Sequence, residues 1–118
     1  MKLVSFNCRG LAGAHNRSAI RRVVFLERSV VILLQETLGI GEVVKARLES
    51  WFVGWTFETL DVKGRSGGLA IGWIDRNVKV LNLWGMESTI GISCSTLDLG
   101  EVFTVCNVYG PYLNRIPF

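Results

Sequence analysis

Between residues 30 and 35 the chain reads Val-Val-Ile-Leu-Leu-Gln, a continuous run of β-branched residues and leucine up to its last position. Such a run lacks the polar alternation of a strand with one wet face, so it requires cover on both sides, as a strand inside a parallel sheet does. A shorter apolar run, 3–6, precedes it. Between the two lies an amphipathic helix over 18–28, with Ile20, Val23 and Val24 on one face and Arg17, Arg21, Arg22 and Arg28 elsewhere. Strand, helix and strand make a βαβ unit whose two strands pair in parallel. Asn7 and Glu36 each follow directly on one of these strands. Polar groups at the same ends of neighbouring parallel strands converge on one crevice, which is where open α/β sheets bind ligands. A carboxylate and a carboxamide there suit a hard cation such as Mg²⁺ and a phosphate oxygen.

After the break Gly39-Ile40-Gly41, a second helix is expected over 42–51. The remainder reads as strands near 52–58, 68–73, 78–84, 88–95 and 101–109, joined by turn-like stretches such as Asp75-Arg76-Asn77 and Leu97-Asp98-Leu99-Gly100. That spacing predicts an antiparallel meander added to the parallel pair.

The 118 residues suffice for one ordinary domain, and 49% apolar residues exclude a disordered chain. Thirteen basic and ten acidic residues leave a net charge of +3 with no basic run, which a polyanionic partner and an ordinary solvated surface explain equally well. Cys8, Cys94 and Cys106 are odd in number and lack a C-x-x-C spacing, so they read as small buried residues of a reduced protein. No signal-peptide core follows Met1-Lys2, and the run 30–34 is too short to span a bilayer. The expectation is an intracellular protein, nuclear or cytoplasmic, with no membrane association. The apolar ending Ile116-Pro117-Phe118, without a cap or charged tail, predicts further sequence beyond it.

Four segments, Phe6-Asn7-Cys8-Arg9-Gly10-Leu11, Leu33-Leu34-Gln35-Glu36-Thr37, Arg65-Ser66-Gly67-Gly68-Leu69-Ala70-Ile71 and Asn107-Val108-Tyr109-Gly110-Pro111, stand in a telling order. The chain thereby resembles the endonuclease/exonuclease/phosphatase superfamily, and within it the apurinic-endonuclease-like domain of plant LINE-type retrotransposons. The resemblance covers the whole chain but only about the first half of that domain. It implies an α/β fold, the N-terminal half of a two-sheet β-sandwich flanked by helices (DNase I-like), with residues 1–118 a partial domain lacking its C-terminal half.

The resemblance also implies the chemistry. Glu36 matches the glutamate that binds the divalent metal, Mg²⁺ or Mn²⁺, and a carboxylate held at a strand end is well positioned for that work. Asn7 matches the asparagine that organises the metal and phosphate end of the site. Tyr109 matches a tyrosine whose hydroxyl contacts the scissile phosphate, a neutral donor that strengthens as charge develops. Asn107, two residues earlier on the same strand face, and Arg9, where many relatives carry an acidic residue, are further candidates for phosphate. Gly67-Gly68 indicates a bulge or a close backbone approach. His15 reads as a surface loop residue, since the family's catalytic histidine lies in a later Ser-Asp-His segment. Trp51, Trp55, Trp73 and Trp84 read as core or sheet-face residues.

The implied function is a fragment of a Mg²⁺-dependent DNA endonuclease, inactive alone because the family's water-activating segments come later. Two alternatives share the sequence features: a non-catalytic remnant that binds nucleic acid or protein, and a phosphoesterase acting on small phosphoesters. If the two halves of the domain contribute sheets that pack face to face, this chain leaves one apolar sheet face uncovered and self-associates.

Overall fold

The computed structural model describes residues 1–11, 14–61 and 67–109. Arg65, Ser66, Gly110, Pro111 and the segment 112–118 lie outside the described residues. In chain order the elements are β1 (Leu3–Asn7), α1 (Ala14–Glu27), β2 (Val31–Gln35), α2 (Gly41–Trp51), β3 (Trp55–Leu60), β4 (Leu69–Ile74), β5 (Val78–Met86), β6 (Thr89–Thr96) and β7 (Val102–Val108). Among the described residues no helix is long and apolar enough to cross a membrane.

The apolar run of β2 has the two-sided burial expected of it. Its Ile32 and Leu34 point into a core closed by Ile20 and Val24 of α1 and Val44 and Leu48 of α2. Its Val31 and Leu33 point the other way, into a second core with Ile90, Ile92, Cys94 and Val105. β1 and β2 pair in parallel, Leu3 with Val31 through Asn7 with Gln35. Side chains alternate across a strand, so one strand feeds both cores.

The two-sheet architecture is the expected one, but the strands after α2 do not run as one meander added to the parallel pair: they divide between the two sheets. β4 pairs antiparallel with β2, and β3 with β4, giving a first sheet in the order β1-β2-β4-β3, while β5-β6-β7 form a second sheet. β4 is buried at every position but its last because helices cover one face and the second sheet the other. On it, Gly72 is required: a Cβ there would lie 2.2 Å from Cε2 of Phe57. α2 also holds the edge strand β3, with the Glu49 carboxylate accepting the Phe57 N–H at 3.0 Å and Lys45 paired with Glu58.

Three further expectations change. α1 begins at Ala14, one turn before the predicted start, so His15 lies in a helix and not in a loop. Asn16 explains the early start: its Nδ2 donates to the carbonyls of Cys8 (3.3 Å) and Gly10 (2.5 Å), fastening the first turn to the β1 exit. Cys106 is exposed, unlike Cys8 and Cys94, because the outward positions of β7 alternate with buried Val105 and Asn107. This chain supplies both sheets: helices cover one face of the first, the second sheet covers β2 and β4 on the other while Leu3 and Ser5 of β1 stay exposed there, and the second sheet keeps an outer side that no other described element covers. There Met86, Val102 and Val108 are exposed and Trp84 lies over Gly91. Trp51 and Trp55 pack on the first core and Trp73 lies in the second, as expected of core residues.

Candidate metal and phosphate site

Past their last register pair, β1 and β2 separate as strands but stay joined as loops. The Cys8 N–H donates to Gln35 O (2.9 Å), Gly10 N–H to Glu36 O (2.7 Å) and Leu11 N–H to Thr37 O (3.3 Å). On the other side, Thr37 N–H donates to Gly68 O (3.2 Å) and Leu38 N–H to Gly67 O (3.1 Å). The glycine pair makes the close approach its sequence indicates, since a Cβ on Gly68 would sit 2.1 Å from Thr37 Oγ1. Three chain segments therefore form one rim around Glu36.

The backbone of that rim is strained. Arg9, Glu36 and Leu38 have φ values of 49°, 54° and 49°, and these are three of the five non-glycine residues in the left-handed region among the described residues. Each such residue costs about 1 kcal/mol or more and persists only where its surroundings hold it, which is common at binding sites. Asn7 supplies part of the hold. Its Oδ1 accepts the Arg9 N–H at 3.1 Å, a local turn, while its Nδ2 donates to the Glu36 carboxylate.

Asn7 is exposed and Glu36 half-buried, so the pair faces water. One carboxylate oxygen is engaged by Asn7, and the other has no protein partner among the described residues. Nowhere among the described residues do three His, Cys, Asp or Glu side chains converge. That donor set does not make a closed zinc cage, but it fits Mg²⁺, which binds through one or two carboxylates and fills its shell with water and phosphate oxygens.

Cys8 lies under this rim as an inert filler. Burial, reinforced by the neighbouring Glu36 charge, pushes its thiol from the ordinary 9.0 up to about 12. A raised thiol pKa contributes stability that is present below pH 9 and is lost as the pH climbs toward 12. Iodoacetamide at pH 8 is expected to modify Cys106 and to spare Cys8 and Cys94, as peptide mass mapping would reveal; rapid labelling of Cys8 in the folded chain would refute its burial.

The remaining candidates lie at the same end of the molecule without touching the pair. The Arg9 side chain is exposed. Asn107 is 1% exposed, and all its hydrogen bonds run inward to Leu34, Gln35 and Ala70. Tyr109 is half-buried against the inter-sheet core and anchored by its N–H to Ser88 O at 2.9 Å. Among the described residues no hydrogen bond joins Tyr109 or the Arg9 side chain to Asn7 or Glu36. Gln35 was not singled out from the sequence, although a half-buried amide at the end of an otherwise apolar strand needs a partner.

No family model and no curated protein matches the sequence. Solved structures do match the fold. A mannosyl-6-phosphatase from Bacteroides thetaiotaomicron superposes with a TM-score of 0.66 at 13% identity, over 90% of this chain and 50% of that one. An endonuclease/exonuclease/phosphatase family protein from the same organism gives 0.65 at 12% identity, over 90% and 47%. D. rerio TDP2 complexed with a single-strand DNA product gives 0.64 at 16% identity, over 88% and 43%. The architecture is the DNase I-like one of endonuclease/exonuclease/phosphatase proteins, and this chain spans about half the length of the structures it matches.

Proposed function

We propose that this chain is the N-terminal portion of a Mg²⁺-dependent, apurinic-endonuclease-like domain of a LINE-type retrotransposon, which hydrolyses phosphodiester bonds in DNA. The observation that carries the reading is the Glu36 carboxylate, gripped by Asn7 on a strained rim at the ends of two parallel strands. The fold is compatible, being shared with a phosphatase and with a protein solved on a single-strand DNA product. Glu36 would hold the Mg²⁺, or Mn²⁺ in its place, and the bound ion supplies charge neutralisation at a phosphoryl oxygen. Asn7 keeps the carboxylate turned outward. The Tyr109 hydroxyl donates to the phosphoryl oxygens, and the exposed Arg9 guanidinium meets a neighbouring phosphate. Water activation falls to segments of the domain that this chain does not supply, in keeping with the family it resembles.

A second reading, a phosphatase of small phosphoesters, draws on the mannosyl-6-phosphatase likeness. Both are tested in this chain joined to the C-terminal half of a protein of the same fold. Tyr109→Phe is expected to slow Mg²⁺-dependent nicking of supercoiled plasmid by roughly ten- to a thousandfold, the range for one lost donor, with an unchanged melting temperature. A lowered melting temperature at unchanged rate would make Tyr109 a packing residue. Cleavage of a sugar phosphate without nicking would favour the second reading.

A further inference from the structure

The two sheets face each other across an apolar interior. Apolar contact is non-directional, so it leaves the slide of one sheet along the other weakly determined. A single amide supplies the missing direction. Asn107 on β7 donates Nδ2 protons across the gap to the carbonyl oxygens of Leu34 (3.0 Å) and Ala70 (2.9 Å), which are register partners on β2 and β4. Its Oδ1 accepts from Gln35 Nε2 at 2.9 Å, and the same Gln35 nitrogen reaches Ser5 Oγ on β1 at 2.9 Å. Asn107 thus joins three strands from two sheets directly, and Gln35 extends the link to a fourth. With both amide ends engaged inward, the Asn107 side chain is spent on structure and not on a phosphate.

Its place along the chain gives the clamp a use. Gln35 immediately precedes Glu36. Asn107 precedes Tyr109 by two residues, hence on the same face of the strand. The amide pair therefore ties the strand end that carries the carboxylate to the strand end that carries the phenol. We propose that Asn107 and Gln35 are positioning residues that set where Tyr109 stands relative to the metal at Glu36. The use, though not the clamp itself, rests on the metal and phosphate reading above.

The test uses this chain, isotope-labelled, with Mn²⁺ as the probe. Bound at Glu36, Mn²⁺ broadens the resonances of residues 7–10 and 36–38 together with those of Tyr109. In Asn107→Leu, which keeps the volume but not the hydrogen bonds, the Mn²⁺ affinity should stay within twofold and the first two sets should remain broadened. The Tyr109 signals should split or lose their broadening. Unchanged Tyr109 broadening would overturn the proposal. If Asn107→Leu does not fold, Gln35→Leu, which cuts the Oδ1 arm and the bond to Ser5 but keeps both Nδ2 arms, is read in the same way. If the unsubstituted chain shows no Mn²⁺ broadening, the metal reading fails and the clamp is judged separately by cross-sheet nuclear Overhauser effects between β7 and β2 or β4. Shifted or doubled effects in the variant support the clamp, and identical ones refute it.

Discussion

Mg²⁺-dependent nicking is expected to vanish when Glu36 is replaced by glutamine in a nicking-competent form of this domain. Glutamine keeps the length of the side chain and an oxygen for the Asn7 amide, so the rim can close as before. Its left-handed backbone, φ 54°, burdens either residue alike. What changes is the charge: a neutral amide is a poor ligand for a hard cation, and no other cluster of acidic side chains among the described residues replaces it. Losing the several kcal/mol of charge stabilisation that a bound metal provides, about 4 kcal/mol, slows the reaction by about a thousandfold. The thermal midpoint should barely move. Nicking near the unsubstituted rate would remove Glu36 from the metal site.

Gly68→Ala should destabilise the fold by about 2–4 kcal/mol, because two penalties coincide there. The first is conformational, since Gly68 sits at φ +110°. The second is steric, as the new Cβ would lie 2.1 Å from Thr37 Oγ1 and 3.3 Å from the Leu38 backbone nitrogen. Gly54→Ala separates the two. Gly54 has φ +85° but nothing within 4 Å of an added Cβ, so its substitution should cost only the conformational part, about 1 kcal/mol. Urea denaturation of both variants measures the difference. Equal losses would mean that Thr37 turns aside freely and that the rim around Glu36 is looser than its hydrogen bonds indicate.

The convergence of Asn7 and Glu36 was legible because it depends only on strand ends, and an apolar run buried on both faces announces a parallel pair without further context. Which sheet each later strand would join was not legible. Alternation shows that a strand has an inside but not which neighbour covers it, and β4 became a central strand of the first sheet while β5 opened the second. The same blindness hid the clamp. Period-two spacing places Asn107 on the face of Tyr109, but its depth follows from the meeting of β7 with β2 and β4, residues far apart in sequence. The early start of α1 was hidden for a local reason: Gly and Ala before it read as a loop, and only the Asn16 side chain, reaching back to the β1 exit, shows why the helix begins there.

Glu36 as the holder of a divalent cation is tested most directly by titrating Mn²⁺ into the labelled chain and following amide broadening residue by residue. Broadening should begin at Asn7, Arg9, Glu36 and Leu38, on the rim that Asn7 and Glu36 share, and Glu36→Gln should abolish it. Broadening that begins instead at Asp75 and Asp98, at the opposite end of the sandwich, or that survives undiminished in Glu36→Gln, would contradict the assignment.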